Sequence, residues 1–93
     1  MPIRFVVMGP LLQYTGNRKE VDAKGSTLRK ALDSLGDRYP GLSDSICDEQ
    51  GNVREFINLF IDGQEMRDLQ GVRTKLKDGD TVFIIPSVAG GAL

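Results

Sequence analysis

The sequence predicts an α+β domain in which four to five strands form a sheet and one main helix packs across it. Three observations carry this. Ile3, Phe5 and Val7 alternate with Arg4, Val6 and Met8, the period of two that marks a strand. Leu28, Ala31, Leu32, Leu35 and Tyr39 recur at spacings of three and four, the period of a helix. Thr81 to Pro86 repeats the strand pattern, with Val82 and Ile84 on one side and Phe83 and Ile85 on the other.

The first strand ends at the Gly9-Pro10 break. Leu11-Leu12-Gln13-Tyr14 follows, then Gly16-Asn17 as turn chemistry. Arg18 to Ala23, with Val21 as its main apolar residue, reads as the edge strand of a hairpin, and the charges from Arg18 to Lys24 oppose pairing with another chain. Gly25-Ser26-Thr27 supplies a hydroxyl cap for the helix, and Pro40-Gly41 is expected to stop it. Arg29, Lys30, Asp33, Asp37 and Arg38 fall on the other side of that helix, which is expected to face water. Leu42 and Ile46 suit a further short helical turn, and Asp48 to Asn52 suits a loop. Phe56 to Ile61 reads as a strand closed by the turn pair Asp62-Gly63, with Gln64 to Arg67 pairing back as a hairpin arm. Gln70-Gly71 opens a connection, and Lys77-Asp78-Gly79-Asp80 forms the turn before the last strand.

Composition removes several functions. Twelve Lys and Arg against 13 Asp and Glu leave a formal charge of −1, so no broad basic field is available for nucleic acid or anionic lipid. The longest apolar runs, Phe5 to Met8 and Val82 to Pro86, are far shorter than the ~20 residues that span a bilayer, and a soluble, cytoplasmic protein is expected. The chain has no histidine, which excludes Ser-His and Cys-His nucleophile systems and most zinc sites. Cys47 is the single cysteine and reads as a passive, partly buried residue. Asp78-Gly79-Asp80 lacks the further acidic ligands of a calcium loop, so no metal is assigned. A protein so equipped is expected to use another protein's active site rather than its own.

The stretch Leu76-Lys77-Asp78-Gly79-Asp80-Thr81-Val82-Phe83-Ile84-Ile85-Pro86-Ser87-Val88-Ala89-Gly90-Gly91 is similar to the ThiS and MoaD sulfur-carrier family. In that family an L-x-D-G-D turn, a hydrophobic strand and a P-x-V-A-G-G tail follow one another. The element order, with one helix across a mixed sheet and the last strand running into a Gly-Gly tail, resembles the β-grasp fold of ubiquitin. Within the family, the Phe56-Ile61 strand and the chain length look closest to CysO-type carriers. The resemblance implies a β-grasp domain over residues 1–86 and a flexible tail over residues 87–93.

The same resemblance implies the chemistry. An E1-like adenylyltransferase and sulfurtransferase uses ATP to adenylate the terminal glycine carboxylate, and a sulfur donor displaces AMP to leave a thiocarboxylate. Gly91 is the residue this places at the reacting carbon, with no cofactor bound by the carrier itself. Two glycines let an extended tail thread a narrow channel, with Ser87, Val88, Ala89 and Gly90 small enough to follow and Pro86 stiffening the start. Ala92-Leu93 departs from the usual pattern, because the Gly91 carbonyl is then an amide and cannot be adenylated. A cut between Gly91 and Ala92 is therefore expected, and the resemblance suggests a JAMM-type metalloprotease. The implied downstream partner is a sulfur-accepting synthase, a PLP-dependent one among the candidates, making cysteine, homocysteine or a thio-siderophore; molybdopterin and thiamin precursors remain open.

Alternation also predicts a docking face. If Ile3, Phe5, Val7, Leu59, Val82 and Ile84 face the helix, then Val6, Met8, Phe60, Phe83 and Ile85 face outward as an apolar patch. Met8, Phe60 and Ile85 are the residues expected to contact the activating enzyme. Two competing functions stand beside the carrier: a ubiquitin-like modifier joined through Gly91 to target lysines, and a noncovalent interaction module with an inert tail.

Overall fold

The computed structural model describes residues 2–87. Its elements run β1 (Ile3–Val7), β2 (Glu20–Ala23), α1 (Leu28–Arg38), α2 (Pro40–Ile46), β3 (Ile57–Ile61), β4 (Gln64–Glu65) and β5 (Thr81–Pro86), with 3-10 turns at Gly9–Tyr14, Met66–Asp68 and Gly71–Arg73. The strands lie in the order β2-β1-β5-β3-β4. The central pair, β1 and β5, is parallel and the other three pairs are antiparallel. The α+β expectation therefore holds in its five-strand, mixed-sheet form.

The sheet is built by two local hairpins and one long return. The β3–β4 hairpin turns through Asp62 (φ 52) and Gly63 (φ 81). Both central residues are left-handed, as a type I′ turn demands, and that turn matches the twist of its strands. β5 then crosses the sheet to lie between β1 and β3. Asp80 fixes where it starts: its Oδ2 accepts from the Lys77 amide at 2.8 Å, and its carbonyl accepts from the Arg4 amide at 2.9 Å.

Every inward side chain that alternation assigned is buried. Ile3, Phe5, Val7, Leu59, Val82 and Ile84 are each 1% exposed or less. Against them pack Leu28, Ala31, Leu32 and Leu35 of α1 and Leu42 and Ile46 of α2. Burying a side chain of this size contributes about 1.5–3 kcal/mol, so this layer is the main source of stability. Helix α1 begins where Thr27 Oγ1 accepts from the Lys30 amide at 3.3 Å. Two of its side chains also reach the outer edge of β2: Arg38 Nη1 donates to the Asp22 carbonyl at 2.9 Å, and Ser34 Oγ accepts from the Lys24 amide at 3.0 Å. That edge is closed by the helix itself as well as by its own charges.

The structure revises several local expectations. As expected, α1 stops at Arg38, ahead of Pro40-Gly41, and Leu42 and Ile46 fall in a further short helix; Pro40 has a second role, opening α2 at a first-turn position where a missing N–H is no loss. The break falls at Tyr39, whose φ of −134 and ψ of 73 are not helical. Leu11 to Tyr14 belongs to a 3-10 turn, and the second strand spans Glu20–Ala23 only. Of the Gln64 to Arg67 arm, only Gln64 and Glu65 pair, because the chain turns into 3-10 geometry at Met66. Arg29, expected in water, is half-buried: Nη1 donates to the Gly51 carbonyl and Nη2 pairs with Asp33 at 3.3 Å. Cys47 is 7% exposed, and burial raises its thiol pKa above the ordinary 9.0, with the nearby Arg29 guanidinium acting against that shift.

Candidate functional site

The outer face of the sheet is assembled by register. Val6 lies beside Phe83, and Phe83 beside Phe60, so three apolar side chains from β1, β5 and β3 form one row across the centre of the sheet. Phe60 and Phe83 are a directly opposed aromatic pair, a geometry that favours contact between the rings. The next row continues it, with Ile85 opposite Asn58. Because Val7 pairs with Ile84, Met8 falls at the level of Ile85. Phe83 is 41% exposed, while Val6, Met8, Phe60 and Ile85 are half-buried. The structure thus brings Met8, Phe60 and Ile85 onto one face, together with Val6 and Phe83.

The ends of the central row are acidic. Val6 pairs with Glu20 on one flank and Phe60 with Glu65 on the other, so the row reads Glu20, Val6, Phe83, Phe60, Glu65. Each acid is held by an arginine: Arg4 Nε lies 3.4 Å from Glu20 Oε1, and Arg67 Nη1 lies 3.3 Å from Glu65 Oε2. Arg67 also donates to Asn58 Oδ1 at 3.4 Å and to the Arg54 carbonyl at 3.0 Å. Such exposed pairs add at most ~1 kcal/mol to stability, so their weight is in bordering the apolar strip with charge. An apolar centre with a polar rim is the anatomy of a protein–protein interface.

The tail leaves from one end of this face. β5 stays paired to its last residue, with Pro86 opposite Ile57. Ser87 continues the ladder by one step: its amide donates to the Phe56 carbonyl at 2.7 Å, and its hydroxyl donates to the same oxygen at 2.9 Å. The N–H groups of β5 that face β3 are those of alternate residues, Ser87 and Ile85 among them, so the position lacking an N–H, Pro86, points the other way, past the last β1 pair at Val7 and Ile84. A shallow groove of about 440 Å³ opens beside Ser87, lined by Pro10, Tyr14, Arg54, Phe56 and Pro86 among others. Tyr14 and Phe56, 38% and 39% exposed, are with Phe83 the large apolar side chains most open to solvent among the described residues. Tyr14 is held by its fit over Gly41, where a Cβ would come within 2.9 Å of Cδ1.

Sequence reasoning missed this groove and the charged rim. The rim was within reach: a two-residue Asp62-Gly63 turn fixes Phe60 opposite Glu65, and period two turns Glu20 outward. The pairing of Phe56 with Ser87 was not, because it depends on how two distant strands align. Among the described residues no group of three or more His, Cys, Asp or Glu could hold a metal ion. No helix among the described residues is long and apolar enough to cross a membrane. Val88, Ala89, Gly90, Gly91 and Ala92 lie outside the described residues.

A five-stranded mixed sheet clasping a helix, with an apolar outer face and a last strand running toward Gly90-Gly91, defines a ubiquitin-like β-grasp protein. The profile of the ThiS family matches residues 5–91, and the chain belongs to that family. It is 36% identical to the sulfur carrier protein CysO of Mycobacterium tuberculosis over 83 residues, covering 87% of this chain and 89% of that protein. It is 39% identical to small archaeal modifier protein 3 of Haloferax volcanii over 66 residues, 71% of each chain. Its fold matches a chain in the crystal structure of the Amycolatopsis orientalis BexX/CysO complex with a TM-score of 0.86 at 32% identity, covering 96% of this chain and 99% of that one. The relatives are thus CysO-like sulfur carriers and ubiquitin-like modifiers, small carrier domains rather than catalysts.

Proposed function

We propose that this chain is a sulfur carrier, activated at Gly91 after Ala92-Leu93 is removed. The observation that carries the reading is where family likeness stops: it runs to residue 91, the second glycine, and leaves Ala92-Leu93 outside. Cutting the Gly91–Ala92 amide yields a free α-carboxylate. An E1-like enzyme then joins that carboxylate oxygen to the α-phosphorus of ATP with loss of pyrophosphate, and hydrosulfide attacks the Gly91 carbonyl carbon and expels AMP. The product is a glycyl thiocarboxylate that hands sulfur to an acceptor, with a cysteine or homocysteine precursor or a thio-siderophore as the proposed destinations. All of the catalytic groups belong to the partners; this chain supplies a docking face, an arm and a carboxylate.

Several features support this division of labour. Met8, Phe60 and Ile85, with Val6 and Phe83, form the seat for the activating enzyme, and the Glu20–Arg4 and Glu65–Arg67 pairs frame it. Residues 1–86 act as the docking body, and the residues beyond carry the reacting group. The protease that exposes Gly91 is proposed to be a JAMM-type zinc enzyme. A chain ending at Gly91, mixed with ATP and its E1-like enzyme, is expected to release pyrophosphate, whereas the chain ending at Leu93 releases none. Equal release from both forms, or from neither, contradicts the reading.

The archaeal relative favours a second use of the same carboxylate, transfer to protein lysines. Conjugates of higher mass that survive denaturant and thiol would mark that route.

A further inference from the structure

We propose that Ser87 is the anchor from which Gly91 is presented, a positioning residue that is the last one tied to the sheet and so limits how far Gly91 can reach; the inference rests on the carrier reading above. Pro86 cannot serve as this anchor, because its nitrogen carries no hydrogen and faces away from β3. Ser87, the next position to face β3, puts two donors on a single acceptor, the Phe56 carbonyl, at 2.7 Å from the amide and 2.9 Å from the hydroxyl. Phe56 immediately precedes β3, whose next five residues are locked against β5 by the pairs Ile57–Pro86 through Ile61–Val82. The anchor is therefore part of the sheet and moves with the docking face.

The consequence is a fixed arm length. From Ser87 to Gly91 is four residues, which extend to at most roughly 13–14 Å. Without Ser87, the last donor to β3 is the amide of Ile85, and the arm grows to six residues, or roughly 20–22 Å. A longer arm still reaches the partner's centre, but its tip searches a larger volume and spends less time at the reacting geometry. Such misplacement lowers the rate of chemistry more than it lowers binding. A contact residue behaves differently, since its loss raises KM. Ser87 itself is exposed, so its replacement removes the anchor without opening the core.

The decisive comparison uses chains ending at Gly91 in three variants, assayed for pyrophosphate release by the E1-like enzyme. Ser87→Pro removes both donors and suits the extended backbone that precedes it. It is expected to lower kcat about tenfold with KM within about twofold of wild type. Ser87→Ala, which keeps the amide, is expected to fall between, and Ser87→Thr, which keeps both donors, to restore the wild-type rate. An unchanged kcat for Ser87→Pro, or a loss expressed only in KM, overturns the proposal. If the wild-type chain is not adenylated at all, the carrier reading fails instead. Amide hydrogen exchange on the full chain then tests the anchor alone: a Ser87 amide slowed at least about tenfold relative to an unstructured peptide supports it, and one exchanging at the unstructured rate overturns it.

Discussion

The two faces of the sheet are made by the same strands, yet they do opposite work. On β1, β3 and β5, one set of alternate residues, Phe5, Val7, Leu59, Val82 and Ile84, is sealed beneath α1 and α2. The other set is mixed: Val6, Phe60 and Ile85 are apolar and half-buried, Phe83 is apolar and exposed, and Arg4, Asn58 and Thr81 of the same strands are polar. An antiparallel or mixed sheet with one solvated side normally alternates apolar with polar. Here the central row, Val6, Phe83 and Phe60, is apolar throughout, and Glu20 and Glu65 with their partners Arg4 and Arg67 stand at its ends. The difference teaches that hydrophobicity alone does not mark the core of this protein. Inner residues hold the fold together, and outer ones form the face proposed above as the seat for a partner.

The comparison breaks most visibly on the inner face. Leu59→Ala or Ile84→Ala, each at a fully buried site, is expected to cost 2–5 kcal/mol, measured by denaturant unfolding. A loss below about 1 kcal/mol at either site would mean that the core is not where the two faces divide. On the outer face, Phe60→Asp combined with Ile85→Asp is expected to abolish adenylation of the chain ending at Gly91 while the fold still melts as one cooperative unit. Unchanged adenylation kinetics would remove the face from the interface.

Smaller effects sharpen the boundary between the faces. Gly63→Ala places a Cβ at a φ of 81, with open space around it, so strain and not collision is the cost. About 1–2 kcal/mol is expected, and with it a looser Phe60–Glu65 register. Thr27→Ala removes the cap of α1, for about 1 kcal/mol in the same unfolding assay.

The smallest effect belongs to pH. Burial raises the Cys47 thiol pKa above 9.0, so the folded state holds the proton more tightly than the unfolded chain does. The associated stability is complete below pH 9.0 and is lost as pH climbs toward the folded value. Cys47→Ala is expected to flatten the stability curve above that pH, and an unaltered slope would show that the thiol is not the group responsible.

Much of this was legible in the sequence, for physical reasons that also explain the rest. Period two on β1, β3 and β5 sorted inner from outer residues because a strand has only two faces. Thr27 was readable as a cap and Asp62-Gly63 as a turn because each acts within a few residues. Pro40 was readable as the stop of α1 because the residue before a proline is turned away from helical geometry, and its fixed φ also suits the first turn of α2. Arg29 misled because a helix pattern gives direction but not the loop that comes to lie there; the Gly51 carbonyl arrives from 22 residues away. The tie between Phe56 and Ser87, 31 residues apart, depends on strand register, which no local pattern encodes.

The central claim is that the encoded chain is a precursor whose carboxylate must be made before it can carry sulfur. Intact-mass analysis of the protein from its source cell tests this most directly. The account predicts a species ending at Gly91, together with a partner heavier by the difference between one sulfur and one oxygen atom. A population made up only of chains that still end in Ala92-Leu93 would contradict it.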